Sequence, residues 1–432
     1  MLIFEYKVDA SKEQSSAIEE AMRVVQFIRN KCLRLWMDER GISKNDLQCY
    51  CAVLAKDYPF ATQLNSQARQ ASADRAWFAI SRFYDNCKAR KPGKKGYPRF
   101  QHDNRSVEYK QTGWKLEADG KHVTLTDGCG IGRLRLVGNP KQQIAAFPTE
   151  QIKRVRIVQR ADGYYVQFAI KAERCIVHQP TGKHIGIDVG LKAYYTDSEG
   201  NTIDNPRHYR KAEQKLRRLH RAVSRKQKQS SNRKKARKQL ARTYLKVQRQ
   251  REDFARKTAS TLVSSHDLIA YEDLLIRTMV KNHHLAKSIH DAGWGTFISW
   301  VKAYGVVHHI QVIAVAPHFT SQECSACATL VKKSLSVRTH ICPSCGFVLD
   351  RDQNAARNIL AKAEAGYPGA QGNILFFGGG KRFWTDCLYL YSQTGYGQAG
   401  WMKEEPPVFE AGECQCVTLF CILAGRTIIF TR

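Results

Sequence analysis

The stretch His184-Ile185-Gly186-Ile187-Asp188-Val189-Gly190 decides the fold. Ile185-Gly186-Ile187-Asp188 reads as a strand that ends on an acid, with Gly190 suited to a turn just beyond it. Leu268-Ile269-Ala270-Tyr271-Glu272-Asp273-Leu274 repeats the design: an apolar strand running into Glu272. A third motif, Asp350-Arg351-Asp352-Gln353-Asn354-Ala355-Ala356-Arg357-Asn358-Ile359, sets Asp352 at the opening of a helix, where the dipole tolerates an anion. Adjacent strands would bring Asp188 and Glu272 together, and the helix would deliver Asp352 from one side. That is the logic of a ribonuclease H-like α/β fold. Taken singly, each acid also suits a structural role: a turn residue, an acid opening a helix, a cap. All three in this order are harder to explain that way.

Three converging carboxylates suit phosphodiester hydrolysis. The reaction needs an activated water and neutralisation of charge on the phosphate, and two magnesium ions a few Å apart supply both. Magnesium prefers oxygen ligands and keeps several waters, so a few carboxylates suffice.

Just ahead of the third motif lies Cys324-x2-Cys327-x14-Cys342-x2-Cys345. Two CxxC pairs at this spacing read as the knuckles of a zinc ribbon, each giving two thiolates to one tetrahedral zinc. Gly346 fits the tight turn after the second pair, and Ala328 holds the matching place after the first, where glycine would be easier. A closed four-thiolate site is structural, so this zinc is not expected to take part in chemistry.

The rest of the 432-residue chain supports a polyanionic partner, and its length suits two or three domains. It carries 69 Lys+Arg against 39 Asp+Glu, a formal net charge of +30, and residues 207–257 hold 21 Lys/Arg and 3 Asp/Glu. So dense a block repels itself and favours an acidic partner through counterion release. A membrane is not that partner, because no apolar run reaches the roughly 18–20 residues that spanning requires. The start, Met1-Leu2-Ile3-Phe4-Glu5-Tyr6-Lys7, is no signal peptide, and the expected location is cytoplasmic, with the 14 cysteines reduced.

Residues 1–8 read as a strand, and Ser11 with Gln14 as a capping box opening a helix of about 25 residues. More helix is expected to about residue 88. Arg90-Lys91-Pro92-Gly93-Lys94-Lys95-Gly96-Tyr97-Pro98-Arg99-Phe100 then breaks the pattern. Its bases interleaved with rings suit a nucleic-acid strand, with Lys94, Lys95, Tyr97 and Arg99 as candidate contacts, although a solvated basic linker would look similar. Residues 105–172 look β-rich, with Arg133/Arg135 and Lys153/Arg156 expected on exposed faces, and are read as a small barrel carrying a helical insertion. Residues 208–263 read as one or two basic helices, and from these Arg217, Arg218, Arg225, Lys226, Arg233, Lys234 and Lys235 are further candidate contacts. The segment after Gly366, with Gly378-Gly379-Gly380, Cys414, Cys416 and the apolar residues 417–423, carries no usable motif.

Gly186-Ile187-Asp188-Val189-Gly190, Tyr271-Glu272-Asp273-Leu274, Asp291-Ala292-Gly293-Trp294, Thr320-Ser321-Gln322-Glu323-Cys324-Ser325-Ala326-Cys327 and the Asp350–Ile359 motif together resemble the TnpB (OrfB) family of insertion-sequence proteins, over about residues 1–365. The resemblance implies a transposon-associated RNA-guided DNA endonuclease, related to the type V CRISPR effectors. It implies an α/β chain in which a RuvC (ribonuclease H-like) nuclease domain with an inserted four-cysteine zinc ribbon is preceded by a β-barrel plus helical nucleic-acid-binding domain. The expected divisions are 1–180 for the wedge-like barrel with its helical insertion, 181–320 for the first two nuclease motifs and the basic helices, 321–347 for the ribbon, 348–365 for the third motif, and 366–432 unassigned. By motif, Asp188, Glu272 and Asp352 are the implied catalytic acids and ligands of two magnesium ions. Asp352 is preferred to Asp350 because the family acid lies two positions before the Asn of Asp-x-Asn-Ala-Ala. Arg338 is an implied phosphate contact, with a surface ribbon arginine as the plain alternative. The implied partners are a guide RNA from the transposon end and double-stranded target DNA beside a short flanking motif.

Two other functions compete. A cleavage-inactive guided repressor would be expected to have lost one of the three acids, and all are present. A strand-joining transposase would need paired histidines with a nucleophilic tyrosine, whereas His283-His284 and His308-His309 have no tyrosine placed with them.

Overall fold

A computed structural model describes residues 1–138, 143–144, 147–172, 176–334 and 336–366. The glycine triplet, the Cys414/Cys416 pair and the apolar end noted above lie outside the described residues.

The first half is built on a seven-stranded antiparallel sheet. Its strands are β1 (Leu2–Asp9), β2 (Ser106–Tyr109), β3 (Trp114–Leu116), β4 (His122–Leu125), β5 (Arg133–Val137), β6 (Ile152–Arg160) and β7 (Gly163–Ile170), in the order β2-β6-β7-β1-β5-β4-β3. Between β1 and β2 the chain makes four helices: α1 (Lys12–Asp38), α2 (Lys44–Asp57), α3 (Pro59–Thr62) and α4 (Ser66–Lys88). The expected capping box is present: Gln14 N donates to Ser11 Oγ and Ser11 N to Gln14 Oε1, both at 3.1 Å. Ile18, Met22, Val25, Ile28 and Cys32 of α1 are buried in one core with Val107, Tyr109, Val155, Ile157 and Phe168 of the sheet. Each such side chain contributes about 1.5–3 kcal/mol by leaving water.

Arg133 and Arg135 point outward as expected, but Arg156 does not. It is buried opposite Glu108, its register partner across β2 and β6. Arg154, two residues before Arg156, shares its face by strand alternation, so both guanidiniums close on Glu108. A carboxylate across the sheet makes burial of an arginine affordable, and no reading of β6 alone shows that partner.

The second half holds a five-stranded mixed sheet: β8 (His184–Val189), β9 (Ala193–Asp197), β10 (Thr202–Asp204), β11 (Leu268–Glu272) and β12 (Gln311–Val315), in the order β10-β9-β8-β11-β12. β8 and β9 are antiparallel, whereas β8, β11 and β12 are parallel. A parallel pair needs a long crossover. Here β8 and β11 are joined through β9, β10 and two helices, α5 (His208–Ser224) and α6 (Ser231–Ser264). Then follow α7 (Ile276–Met279), α8 (His283–Ala292) and α9 (Trp294–His308) before β12. The hairpin β13 (Thr339–Ile341) and β14 (Val348–Asp350) leads into α10 (Arg351–Ala365).

Period-2 alternation assigns the faces of this sheet. Ile185, Ile187, Ile269 and Tyr271 pack against Ala255, Ala259, Leu262 and Val263 of α6 and Trp294, Phe297 and Val301 of α9. Leu268, Ala270 and Val315 pack against Ile359 and Ala363 of α10. Gly186 also faces α10, and nothing larger fits: a Cβ there would stand 2.1 Å from the Ala356 carbonyl oxygen and 2.9 Å from Leu360 Cβ. The glycine in the opening motif therefore lets α10 lie close on β8, which fixes where Asp352 falls.

Candidate active site and metal centre

Alternation puts Asp188 two residues beyond Gly186, and Glu272 two beyond Ala270, so both acids face α10. β8 and β11 are in parallel register through Ile187 and Tyr271, and the next step along each strand is Asp188 beside Glu272. Asp352 stands in the first turn of α10. The two acids of that motif divide the labour. Asp350 is the N-cap, its Oδ1 accepting from Asp352 N at 2.8 Å and Gln353 N at 3.3 Å. The Asp352 carboxylate instead meets Arg351 Nη2 at 2.8 Å and Arg338 Nη1 at 3.1 Å.

All three acids are partly exposed, at one end of the sheet. Asp188 is nevertheless densely surrounded by protein. Burial first, then the Glu272 and Asp352 carboxylates, raise its carboxyl well above the ordinary value, against which Arg351 pulls weakly. Burial also raises Glu272, although the Thr320 hydroxyl donates to it and Lys362 lies near. Asp188 is thus held among acids with no cation paired to it among the described residues, a donor set whose chemistry fits a hard divalent cation. Among the described residues the three carboxylates do not gather within 4.8 Å of one another.

The four cysteines do gather: all four sulfurs lie within 4.8 Å of one another, with Cys324–Cys345 at 3.7 Å and Cys327–Cys342 at 3.5 Å. Sulfurs about 2.3 Å from a central zinc form a tetrahedron with edges of roughly 3.8 Å, so the set fits that ion. The two knuckles are built alike. Ala328 N donates to the Cys324 carbonyl at 2.9 Å and Gly346 N to the Cys342 carbonyl at 3.0 Å. Both closing residues are left-handed, Ala328 at φ 60° and Gly346 at φ 69°. Hydrogen bonds with Thr329 lower the Cys327 thiol, whereas Cys345, against the lowering Phe347 backbone hydrogen bond, is raised by the neighbouring sulfurs, as expected of four thiols crowded together and sharing protons.

The ribbon is tied to α10 by two buried asparagines that sequence reading did not single out. Asn354 Nδ2 donates to the Glu323 carbonyl at 2.7 Å, and its Oδ1 accepts from Ser325 N at 3.0 Å. Asn358 Nδ2 donates to the Thr320 and Glu323 carbonyls, each at 2.8 Å. Amides one helical turn apart on a helix otherwise rich in alanine were the available signal. The four-cysteine knot, Thr320 on Glu272 and Asp352 are thus held in one frame.

The candidate nucleic-acid contacts scatter. Arg217 and Arg218 lie exposed on α5, Arg225 and Lys226 in the turn after it, and Arg233, Lys234 and Lys235 at the start of α6. Arg217 is paired with Glu213 at 2.7 Å. Lys94 and Arg99 are exposed, and Lys95 donates to the Lys91 carbonyl. Tyr97 leans on Trp36 and Phe83, with ring centroids 5.7 and 5.2 Å away.

A family model described as "Probable transposase" (OrfB_IS605) matches residues 167–283, and one described as "Cas12f1-like, TNB domain" matches residues 294–359. A "Putative RNA-guided DNA endonuclease" of Streptomyces pristinaespiralis is 30% identical over 373 residues, covering 83% of this chain and 88% of that protein. The chain belongs to the TnpB (OrfB) family. A second relative, "Putative RNA-guided DNA endonuclease InsQ" of Escherichia coli (strain K12), is 28% identical over 62% of this chain and 69% of its own length. Among solved structures, the mini-RNA-guided endonuclease CRISPR-Cas_phi3 superposes with a TM-score of 0.52 at 11% identity, over 85% of this chain and 93% of that one, a likeness of fold. The TnpB match thus rests on sequence, and the Cas-type architecture on shape.

Proposed function

We propose that this chain is a transposon-associated RNA-guided DNA endonuclease. It would cut double-stranded DNA beside a short flanking motif, by a RuvC-type mechanism with two magnesium ions. The observation that carries the reading is the placement of Asp188 beside Glu272 at one end of a mixed sheet, with Asp352 on the helix packed against it, where burial and then the two neighbouring carboxylates raise Asp188. Relatives described as RNA-guided DNA endonucleases support the substrate and the guide.

In this reading Asp188, Glu272 and Asp352 hold the magnesium ions, which supply an activated water and neutralise charge on the scissile phosphate. The chain's own part is positional. β8 and β11 set two acids side by side, Gly186 lets α10 approach, and the asparagine clamp holds Asp352 against the ribbon. Arg338, now on Asp352, is the cation we place against the phosphate. Cys324, Cys327, Cys342 and Cys345 hold one structural zinc. The seven-stranded sheet and α1–α4 (residues 1–180) form the wedge-like barrel and helical unit, residues 181–320 and 348–365 the nuclease, and 321–347 the ribbon.

The guide RNA from the transposon end lies along the basic helices. Arg233, Lys234 and Lys235 sit in the first turn of α6, where cations oppose the helix dipole, so a polyanion there relieves an unfavourable arrangement. The test is plasmid cleavage in magnesium by protein co-expressed with its own flanking RNA, beside an Asp188→Ala control. Guide-dependent cutting that vanishes in the control is expected. Guide-dependent binding without cutting would instead mark a repressor, and strand joining without hydrolysis a transposase.

A further inference from the structure

Away from the acids, a cleft of about 610 Å³ opens between the end of α1, the turn after it, and α4. Trp36, Trp77, Tyr84 and Tyr97 line it, with Asp38 and Glu39 among its other residues. Trp77 and Tyr84 are seven positions apart on α4 and so share one stripe. Two of the rings are unusually open for their size: Tyr97 is 55% exposed and Tyr84 45%. Neither indole N–H, of Trp36 or Trp77, has an acceptor among the described residues. Arg40 lines the cleft, and Lys88, Arg90, Lys91 and Lys94, between Tyr84 and Tyr97 in the chain, are exposed, whereas Arg34 is paired with Asp38.

We propose that this cleft receives an unpaired nucleobase of an RNA. Rings of this kind stack on a base face, worth a large share of single-strand affinity, while flanking cations hold the phosphates on either side. Asp38 is already paired with Arg34 at 2.9 Å, so the Glu39 carboxylate is the one that accepts from exocyclic amino groups, as acids do when they read cytosine, which favours adenine and cytosine over uracil. A paired DNA base cannot enter without being flipped from its stack, whereas RNA loops and bulges present bases already splayed out. The inference rests on the nucleic-acid reading above and deepens it by naming a ligand site outside the catalytic acids.

The test uses the full chain carrying Asp188→Ala, which binds but is not expected to cut, and short single-stranded oligoadenylate, oligocytidylate and oligouridylate at fixed salt. The expected order places oligoadenylate and oligocytidylate above oligouridylate. Tyr97→Ala, at an exposed position, should weaken binding roughly five- to a hundredfold. Glu39→Gln should flatten the preference for amino-bearing bases while leaving oligouridylate binding unchanged. Three results would overturn the proposal: wild-type affinity in Tyr97→Ala, the same base preference in Glu39→Gln, or equal binding of the matching single-stranded DNA. Each differs from failure of the nuclease reading, which shows instead as loss of guided cutting by the unaltered chain.

Discussion

Glu108 and Asp188 are both strand carboxylates closely surrounded by protein, and the chain treats them in opposite ways. Burial alone would raise Glu108, but Arg156, Arg75 and Arg154 close around it and bring it down to about 2. Burial raises Asp188 too, and there the charges that weigh most on it are Glu272 and Asp352, which raise it further. The first acid is finished by the protein itself and locks β2 to β6. The second has no cation paired to it among the described residues. An uncompensated carboxylate destabilises the chain that carries it, and in the proposed reading a cation from solution offsets that cost.

The largest effect expected from breaking this contrast is on cutting. Asp188→Asn keeps the shape and removes the charge, and guided cleavage should fall by about a thousandfold or more, which a plasmid assay reads directly. Retained cleavage would remove Asp188 from the metal site. The same exchange in the first sheet, Glu108→Gln, should leave the chemistry alone and cost about 3–5 kcal/mol of stability, because three guanidiniums lose their carboxylate. A melting midpoint close to that of the wild type would show that the arginines are satisfied some other way.

The pH dependence separates the two sites by sign. Glu108 titrates at about 2 in the folded chain against a usual 4.5, so the folded state holds fewer protons there. Its contribution is present above pH 4.5 and is lost as pH falls towards 2. Asp188 and Glu272 are raised, so the folded state holds more protons there, and metal-free stability falls as pH climbs from the ordinary carboxylate range through the raised values. In metal-free melts, Glu108→Gln should flatten the acid limb and Asp188→Asn the limb above it. A smaller effect belongs to the ribbon. Ala328 occupies the left-handed conformation that Gly346 adopts in the other knuckle, and Ala328→Gly should stabilise the zinc-loaded chain by about 0.5–1 kcal/mol. An unchanged or lower midpoint in that variant would show that the first knuckle carries no such strain.

How much of this was legible in the sequence follows from how local each signal is. The strands ending at Asp188 and Glu272, β12, the Ser11 capping box and the cysteine spacing each depend on residues close together in the chain, and the structure places them as read. The basic run from 208 resolves into two helices, α5 and α6, that its composition did not separate. What escaped depends on partners far away. Arg156 reads as an exposed base until Glu108, 48 positions earlier, is seen opposite it. Asn354 and Asn358 stand in the third motif, but their partners, the carbonyls of Thr320 and Glu323, lie more than thirty residues earlier in the chain. The reason for glycine at 186 lies in the backbone of α10, some 170 residues later, which packs against it. The basic loop through Tyr97 reads equally as a nucleic-acid contact or a solvated linker, and what sequence does not show is that its ring folds back on Trp36 and Phe83 and helps form a cleft.

The central claim, that Asp188 stands in a gap made for a cation, is tested most directly by melting the guide-free protein with and without magnesium at neutral pH, wild type beside Asp188→Asn. The account predicts that Asp188→Asn melts higher than the wild type without metal, and that magnesium raises the wild-type midpoint while leaving the variant's nearly unmoved. Equal response of both proteins to magnesium, or a lower metal-free midpoint in Asp188→Asn, would contradict it.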